Sequence, residues 1–358
     1  MIAPDIARHR LHSHRVGQRG LEQPGQAVSW FGAMQAQDYP NAKWAVGIRS
    51  RGSTDATVGQ DIAGGTIIRT WLMRGTLHFV ARSDVRWMLA LLAPRIIAQS
   101  ARRYQHLDLD ERAFADSYEA LARALEGGKR SARAELLGVL EQAGIAINGQ
   151  RGYHILRRAA LDGLICLGPM QGRQQTYVLL DEWVPRAQPL KRGEALGELA
   201  ARYFRSHGPA TVQDFAWWSG LPAADARAGL DAASARLHQL AFGGQTYWSA
   251  PIEALSSGRR PAAYLLPAYD EYLLGYKARD AVLDDKHHEP AVSRGGVFRP
   301  VVVLDGQVVG IWKRTLEGGS LVIAPSLFAS LTEPESQALH EAAGQYGAFL
   351  GQPVVVAQ

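Results

Sequence analysis

Cysteine is nearly absent: this 358-residue chain has one, Cys166. A single thiol excludes an internal disulfide framework, and its setting, Leu164-Ile165-Cys166-Leu167, reads as buried apolar sequence. Lysine is scarce too. It occurs only at positions 43, 129, 191, 277, 286 and 313, none in a context that marks it for Schiff-base chemistry. No run of about 18 apolar residues occurs, which excludes a conventional membrane-spanning helix. Met1-Ile2-Ala3-Pro4-Asp5-Ile6-Ala7-Arg8 lacks the apolar stretch of a secretory signal. These absences lead to an expectation of a cytoplasmic protein with no membrane partner. Glycine-rich phosphate loops are also missing. The nearest candidate, Ser293-Arg294-Gly295-Gly296, leads into a strand pattern, whereas such a loop opens a helix. His287-His288-Glu289 finds no further ligand at useful spacing. The expectation is therefore no metal and no cofactor.

What is present is a long, mixed chain. Hydrophobic residues make up 47% and charged residues 20%, enough for two or three packed units. Net charge is +5, carried mostly by arginine, which permits nucleic-acid binding without demanding it. One short phrase carries more chemistry than the rest. Gln35-Ala36-Gln37 closes an apolar run, Trp30-Phe31-Gly32-Ala33-Met34, and precedes Asp38-Tyr39-Pro40. A primary amide is no strong base, but it accepts and donates at once. Two of them at i and i+2 can hold a water where strong base chemistry is not required. Cleavage of a glycosidic bond to an already cationic base is such a case.

Periodicity divides the chain into five segments. Residues 1–82 give helices over 6–19, 26–36 and 55–64, then two strands, 66–72 and 75–80, joined at Met73-Arg74. Helices followed by a β-hairpin is the winged-helix order. Residues 83–130 form a helical connector, with Ser83 as N-cap and Pro94 as stop of its first helix. Residues 131–192 and 193–257 each repeat the helices-then-hairpin order, and Gln175-Thr176-Tyr177 is echoed by Gln245-Thr246-Tyr247. Residues 258–358 are strand-rich, with a tight turn at Asp305-Gly306 and a last helix capped by Thr332 and Glu335. The fold class expected is α+β: tandem winged helices and a C-terminal β-barrel-like domain.

Four separated phrases point to one family. Gln35-Ala36-Gln37-Asp38, Arg69-Thr70-Trp71-Leu72-Met73-Arg74-Gly75-Thr76-Leu77-His78, Leu266-Pro267-Ala268-Tyr269-Asp270-Glu271-Tyr272-Leu273-Leu274-Gly275-Tyr276 and Gly296-Val297-Phe298-Arg299-Pro300 resemble the bacterial AlkZ/YcaQ DNA glycosylases. The Gln-x-Gln form of the motif is similar to the AlkZ side, whereas the YcaQ side carries Gln-x-Asp. The resemblance implies winged helices arranged as a concave channel around duplex DNA. It implies hydrolysis of the N-glycosidic bond of N7-alkylated purines, bulky N7-alkylguanines among them, with interstrand crosslinks as further substrates. It also implies a role in DNA repair or in self-resistance to a genotoxic natural product.

On this reading Gln35 and Gln37 are the catalytic pair. Arg69, Arg74, His78 and Arg299 are candidate DNA contacts, and Asp38, Tyr269, Asp270 and Glu271 candidate supporting residues. Asp38 reads equally as a turn or cap residue. Asp270 and Glu271 read first as partners for arginine, and as charge stabilisers if one approaches the glutamine pair. Trp71 reads as core. The partner expected is duplex DNA containing alkylated purines, with no obligate protein partner, and the enzyme expected is a monofunctional glycosylase. The alternative is a non-catalytic winged-helix transcriptional regulator. Against it, a candidate recognition helix such as 211–220 is poor in Arg, Asn and Gln. A structural module of stacked winged helices is a third reading.

Overall fold

The computed structural model describes residues 3–17, 20–186, 188–251 and 260–357. Contacts divide the chain into two compact units that cut across the linear order: residues up to Gly59 group with Leu196 onward, and Gln60–Ala195 form the other.

The first unit begins with helices Ala3–Ser13 and Pro24–Phe31. The apolar run expected to be helical to residue 36 instead stops at Phe31. Gly32 adopts φ +82°, a conformation costly for residues with a Cβ, and Ala33–Gln35 continue as a short strand. A helix missed in the sequence follows at once, Tyr39–Gly47. Asp38 caps it, accepting from Asn41 N at 3.2 Å, with Pro40 in the first turn where its missing N–H is harmless. That helix is fixed to the C-terminal region. Trp44 Nε1 donates to Leu265 O at 2.7 Å, and its ring meets Tyr346 and Phe349, each at 5.0 Å.

The remainder of this unit runs helix Arg192–His207 (most of it), Val212–Ser219 and Ala223–Ala233, then the hairpin His238–Phe242 with Gln245–Ser249. A five-stranded sheet follows, in the order Val354–Val356, Ser320–Leu327, Gln307–Glu317, Val301–Leu304, Ala263–Leu266. The first pairing is parallel and the rest antiparallel. The sheet is barrel-like without closing: among the described residues its two edge strands do not pair with each other. Helix Glu333–Leu350 packs against both edges instead, burying Ala338, Leu339, Ala342, Ala343, Tyr346 and Phe349. Thr332 and Glu335 form the capping box that starts it.

In the second unit, strands Leu77–Ala81, Ile67–Trp71, Ile165–Gln171, Gln174–Leu179 and Ser131–Ala132 lie side by side in that order. Helices Val85–His106, Glu111–Leu125, Arg133–Gln142 and Arg151–Leu161 accompany them. Two expectations fail here. Asp84, not Ser83, is the N-cap residue, and Pro94 lies inside the helix rather than ending it. The lost backbone hydrogen bond is offset by burial of Leu91, Leu92, Ala93 and Ile96 around it. Cys166 is buried, and burial pushes its thiol up to about 12, so it is an inert core residue. No helix among the described residues is long and apolar enough to cross a membrane.

Candidate active site

Gln35 ends its short strand with only 8% of its surface exposed, and Gln37 is exposed. The Gln35 amide oxygen turns back to accept from Gln37 N at 3.0 Å, closing a small side-chain-to-backbone turn. That leaves the second lone pair of the oxygen and the Nε2 hydrogens as what Gln35 can offer a water. The peptide N–H of Gln35 is itself held, donating to Glu271 Oε1 at 2.8 Å. The sequence places these two residues 236 positions apart.

Glu271 is 2% exposed, so its carboxylate needs donors. Oε2 accepts from the indole of Trp218 at 2.9 Å, and His207 Nε2 lies 3.5 Å from the same oxygen. His207 is stacked on Tyr203 at 4.5 Å between ring centroids. Burial drives its pKa down, opposed by the neighbouring Glu271, and the net shift is downward. The ring is neutral near pH 7. Room for it exists because residue 275 is glycine: a Cβ there would sit 2.5 Å from His207 Cδ2 and 2.6 Å from Glu271 O. Gly275→Ala therefore overpacks the carboxylate's surroundings. The expected loss is about 1–3 kcal/mol, measurable as a lower urea midpoint with unchanged slope.

Asp270 does what was first expected of it. It takes both Nη atoms of Arg49, at 2.8 and 2.7 Å, with arginine and aspartate 0% and 2% exposed. Asp270 also caps the short helix Glu271–Leu274 by accepting from Tyr272 N at 2.9 Å. Arg49 Nη2 reaches His14 Nδ1 at 3.2 Å, and Arg49 has only donors, so Nδ1 is the acceptor. His14 Nε2 then carries the proton and donates to Tyr276 Oη at 2.9 Å, and Tyr276 donates to His207 O at 2.7 Å. Burial, His207 and Arg49 all hold the His14 pKa well below 6.5, consistent with that neutral tautomer. Arg10 lies over the Tyr276 ring at 3.8 Å. A buried polar layer thus runs from Asp270 through Arg49, His14 and Tyr276 to His207, and from there to the Glu271 that holds Gln35.

The remaining candidates are placed as follows. Asp38 caps the helix that follows, with Oδ2 also accepting from Asn41 Nδ2 at 2.8 Å. Tyr269 sits at φ +59°, its ring 6.1 Å from that of Phe298. Arg299 is exposed, in the same unit as the glutamine pair.

Arg69, Arg74 and His78 belong to the other unit, and the structure alters the reading of each. Arg69 is 7% exposed and donates to Gln175 Oε1 at 2.8 Å, which makes it an interior residue of the sheet rather than an open phosphate contact. His78 is fully buried with Nδ1 3.0 Å from Thr76 O, so it too faces no solvent. Arg74 is half-buried at φ +54° in the tight turn Met73–Gly75. That turn is not a projecting wing tip, because a Cβ on Gly75 would clash with Arg157 and lie 3.2 Å from Ile96. Trp71 is core, edge-on to Tyr153.

Basic residues also occur as adjacent pairs, at 102–103, 157–158, 191–192, 259–260 and 313–314; of these, Arg158 is bound to Asp162 at 2.8 Å and Glu111 at 3.4 Å. Arg103 donates to Gln150 and Arg157 to Ser100. Arg102, Lys191, Arg192, Arg260 and Lys313 are exposed, and Arg259 lies outside the described residues. No group of three or more His, Cys, Asp or Glu among the described residues is placed to hold a metal ion.

Arg49, His14, His207 and Trp218 were not anticipated. Only Arg49 left a trace in the sequence, as an arginine following the apolar stretch Trp44-Ala45-Val46-Gly47-Ile48.

Comparison with known proteins bears on the family and the fold. The family described as DNA glycosylase AlkZ-like matches residues 28–349. A curated relative, the interstrand DNA cross-link repair glycosylase of Streptomyces sahachiroi, is 27% identical over 309 residues, covering 82% of each chain. The solved structure of the Streptomyces sahachiroi DNA glycosylase AlkZ superposes with a TM-score of 0.81 over 99% of both chains, at 22% identity.

Proposed function

Because the chain belongs to the AlkZ-like DNA glycosylase family, we propose that it hydrolyses the N-glycosidic bond of N7-alkylated purines in duplex DNA, with Gln35 and Gln37 positioning the attacking water at C1′. The observation that supports this most is the state of Gln35. It is nearly buried, its oxygen is turned onto Gln37 N, its peptide N–H is tied to Glu271, and its amide donors are left over. Such a group positions a water and cannot deprotonate it strongly.

That modest capability matches the substrate. An N7-alkylguanine carries a positive charge and leaves as a neutral base, so the sugar approaches an oxocarbenium ion with little help. The protein must then supply orientation and electrostatic support rather than a powerful base. A cationic leaving group also reduces the need to extrude the base fully into a tight pocket, which favours bulky adducts. The relative from Streptomyces sahachiroi is named for cross-link repair, and crosslinks joined through N7 fall within the same chemistry. The role that follows is repair of alkylation damage, including self-protection against a genotoxic natural product. Lysine is sparse and none stands in a sequence context that marks it for Schiff-base chemistry, which supports a monofunctional hydrolase over an enzyme with lyase activity. The recurring helices-then-hairpin order over residues 133–179 and 192–249 supports the winged-helix reading.

The test is an excision panel. Duplexes carrying N7-methylguanine, a bulky intercalated N7 adduct and an N7-linked interstrand crosslink are incubated with the protein and then cleaved at abasic sites with mild alkali. Abasic sites in the alkylated duplexes and none in undamaged DNA are expected. Tight binding without any abasic product would return the chain to the class of non-catalytic DNA-binding regulators.

A further inference from the structure

We propose that Glu271 is a positioning residue whose charge is needed for excision: it orients Gln35 through the peptide N–H and lends negative charge to the site where the sugar turns positive. The inference rests on the hydrolytic reading above. Three observations carry it.

First, the carboxylate is buried and its oxygens are met by directed N–H groups. The Gln35 peptide lies 2.8 Å from Oε1, and the Trp218 indole 2.9 Å from Oε2. Hydrogen bonds to an ionised acceptor are shorter and stronger than neutral ones. They fix the backbone of Gln35 more firmly than a neutral acceptor would.

Second, burying a carboxylate carries a heavy desolvation penalty. If only an acceptor for Gln35 N were needed, a neutral amide would serve with a smaller penalty. The chain uses a carboxylate, and it is distinct from the one that neutralises Arg49. Adjacent residues divide the work: Asp270 takes the guanidinium at 2.7 and 2.8 Å, and Glu271 takes the N–H groups.

Third, the neighbour best placed to neutralise Glu271 by proton transfer is His207, at 3.5 Å. Burial in an aromatic box of Tyr203, Trp218 and Phe31 keeps that ring uncharged near neutral pH. A negative charge held in a water-poor setting acts over longer range than one in water. An oxocarbenium-like state is the species that gains from it, because the ground-state sugar carries no charge.

Single-turnover excision of N7-methylguanine from a duplex separates the possibilities. Glu271→Gln, Glu271→Asp, Glu271→Ala and Gln35→Ala are compared with wild type, together with the Kd for an undamaged duplex and the melting transition. Glu271→Gln keeps an acceptor for Gln35 N and removes the charge. The rate is expected to fall about tenfold or more, with Kd within about twofold because DNA affinity comes from phosphate contacts. A wild-type rate in Glu271→Gln beside a slow Gln35→Ala overturns the inference and leaves the hydrolytic reading standing. A wild-type rate in Gln35→Ala overturns that reading itself. Should Glu271→Gln fail to fold, Glu271→Asp decides. It keeps the charge and retracts it by one methylene. Excision faster in Glu271→Asp than in Glu271→Ala at unchanged Kd supports the inference, whereas equal rates in the two, or a loss of affinity in step with the rate, overturn it.

Discussion

Gln35→Ala is expected to lower the single-turnover excision rate of an N7-alkylguanine by about 10²-fold, the usual effect of removing one preorganised hydrogen-bonding group from a reaction centre. Gln37→Ala should cost less. The asymmetry follows from the geometry. Gln37 contributes its backbone N–H, not its side chain, to the bond with Gln35 Oε1. Its truncation removes one partner for water and leaves Gln35 in place. Truncating Gln35 removes the donor amide and also frees the Gln37 N–H that had been directed onto it. The double variant should fall well short of the product of the single effects, because both side chains act on one water. Binding to undamaged duplex should stay near wild type in all three, since Gln35 is only 8% exposed and phosphate contacts dominate affinity. Rate and Kd measured on the same duplex check this. Losses of Kd that parallel the losses of rate would make the pair a binding element, and wild-type rates in both singles would remove it from the mechanism.

Much of this site was legible in the sequence as residue identity, and little of it as geometry. Gln35 and Gln37 stood out because two amides at i and i+2 are a chemical statement on their own. Their setting was misjudged: the apolar run around them resembles a helix, and only Gly32, at φ +82°, converts it into a short strand. The helix after the motif carried a usable signal. Asp38 followed by Pro40 and Asn41 is an N-cap with a proline in the first turn, and leaving it open between turn and cap missed nine helical residues.

Long-range pairings were beyond reach. Arg49 and Asp270 are 221 positions apart, and nothing local in either segment names the other. His14 and His207 are isolated histidines in an arginine-rich chain, and their neutrality is created by burial. The same limit explains why the burial of Arg69 and His78 was not foreseen. Arg69 and His78 alternate with apolar residues in strands that read as half-exposed. The sheet is covered on both faces at that point: the strand Ile67–Trp71 is buried along its whole length, so polar side chains there were drawn inside. Pro94 was overridden in the same manner, tertiary burial outweighing a local stop signal.

The largest expected loss of stability comes from the pair that was least visible. Replacing Asp270 with Ala leaves the Arg49 guanidinium, 0% exposed, without its bidentate acceptor. Breaking a buried ion pair from one side costs about 3–5 kcal/mol, because the surviving charge stays buried. Arg49→Met should cost a similar amount, stranding the carboxylate and also releasing the hydrogen bond to His14 Nδ1. The double variant, Asp270→Ala with Arg49→Met, is expected to be more stable than the sum of the singles by about 1–3 kcal/mol, since it leaves neither charge behind. Denaturant unfolding of the four proteins gives that coupling directly. Excision should respond differently from stability. Asp270 caps the short helix that begins at Glu271, and Glu271 holds the Gln35 peptide. Restoring stability in the double variant therefore does not restore the cap, and its excision rate should remain as low as that of Asp270→Ala alone. Recovery of rate in step with stability would mean that Asp270 acts only as a counter-ion and that the cap at Glu271 is immaterial to where Gln35 points.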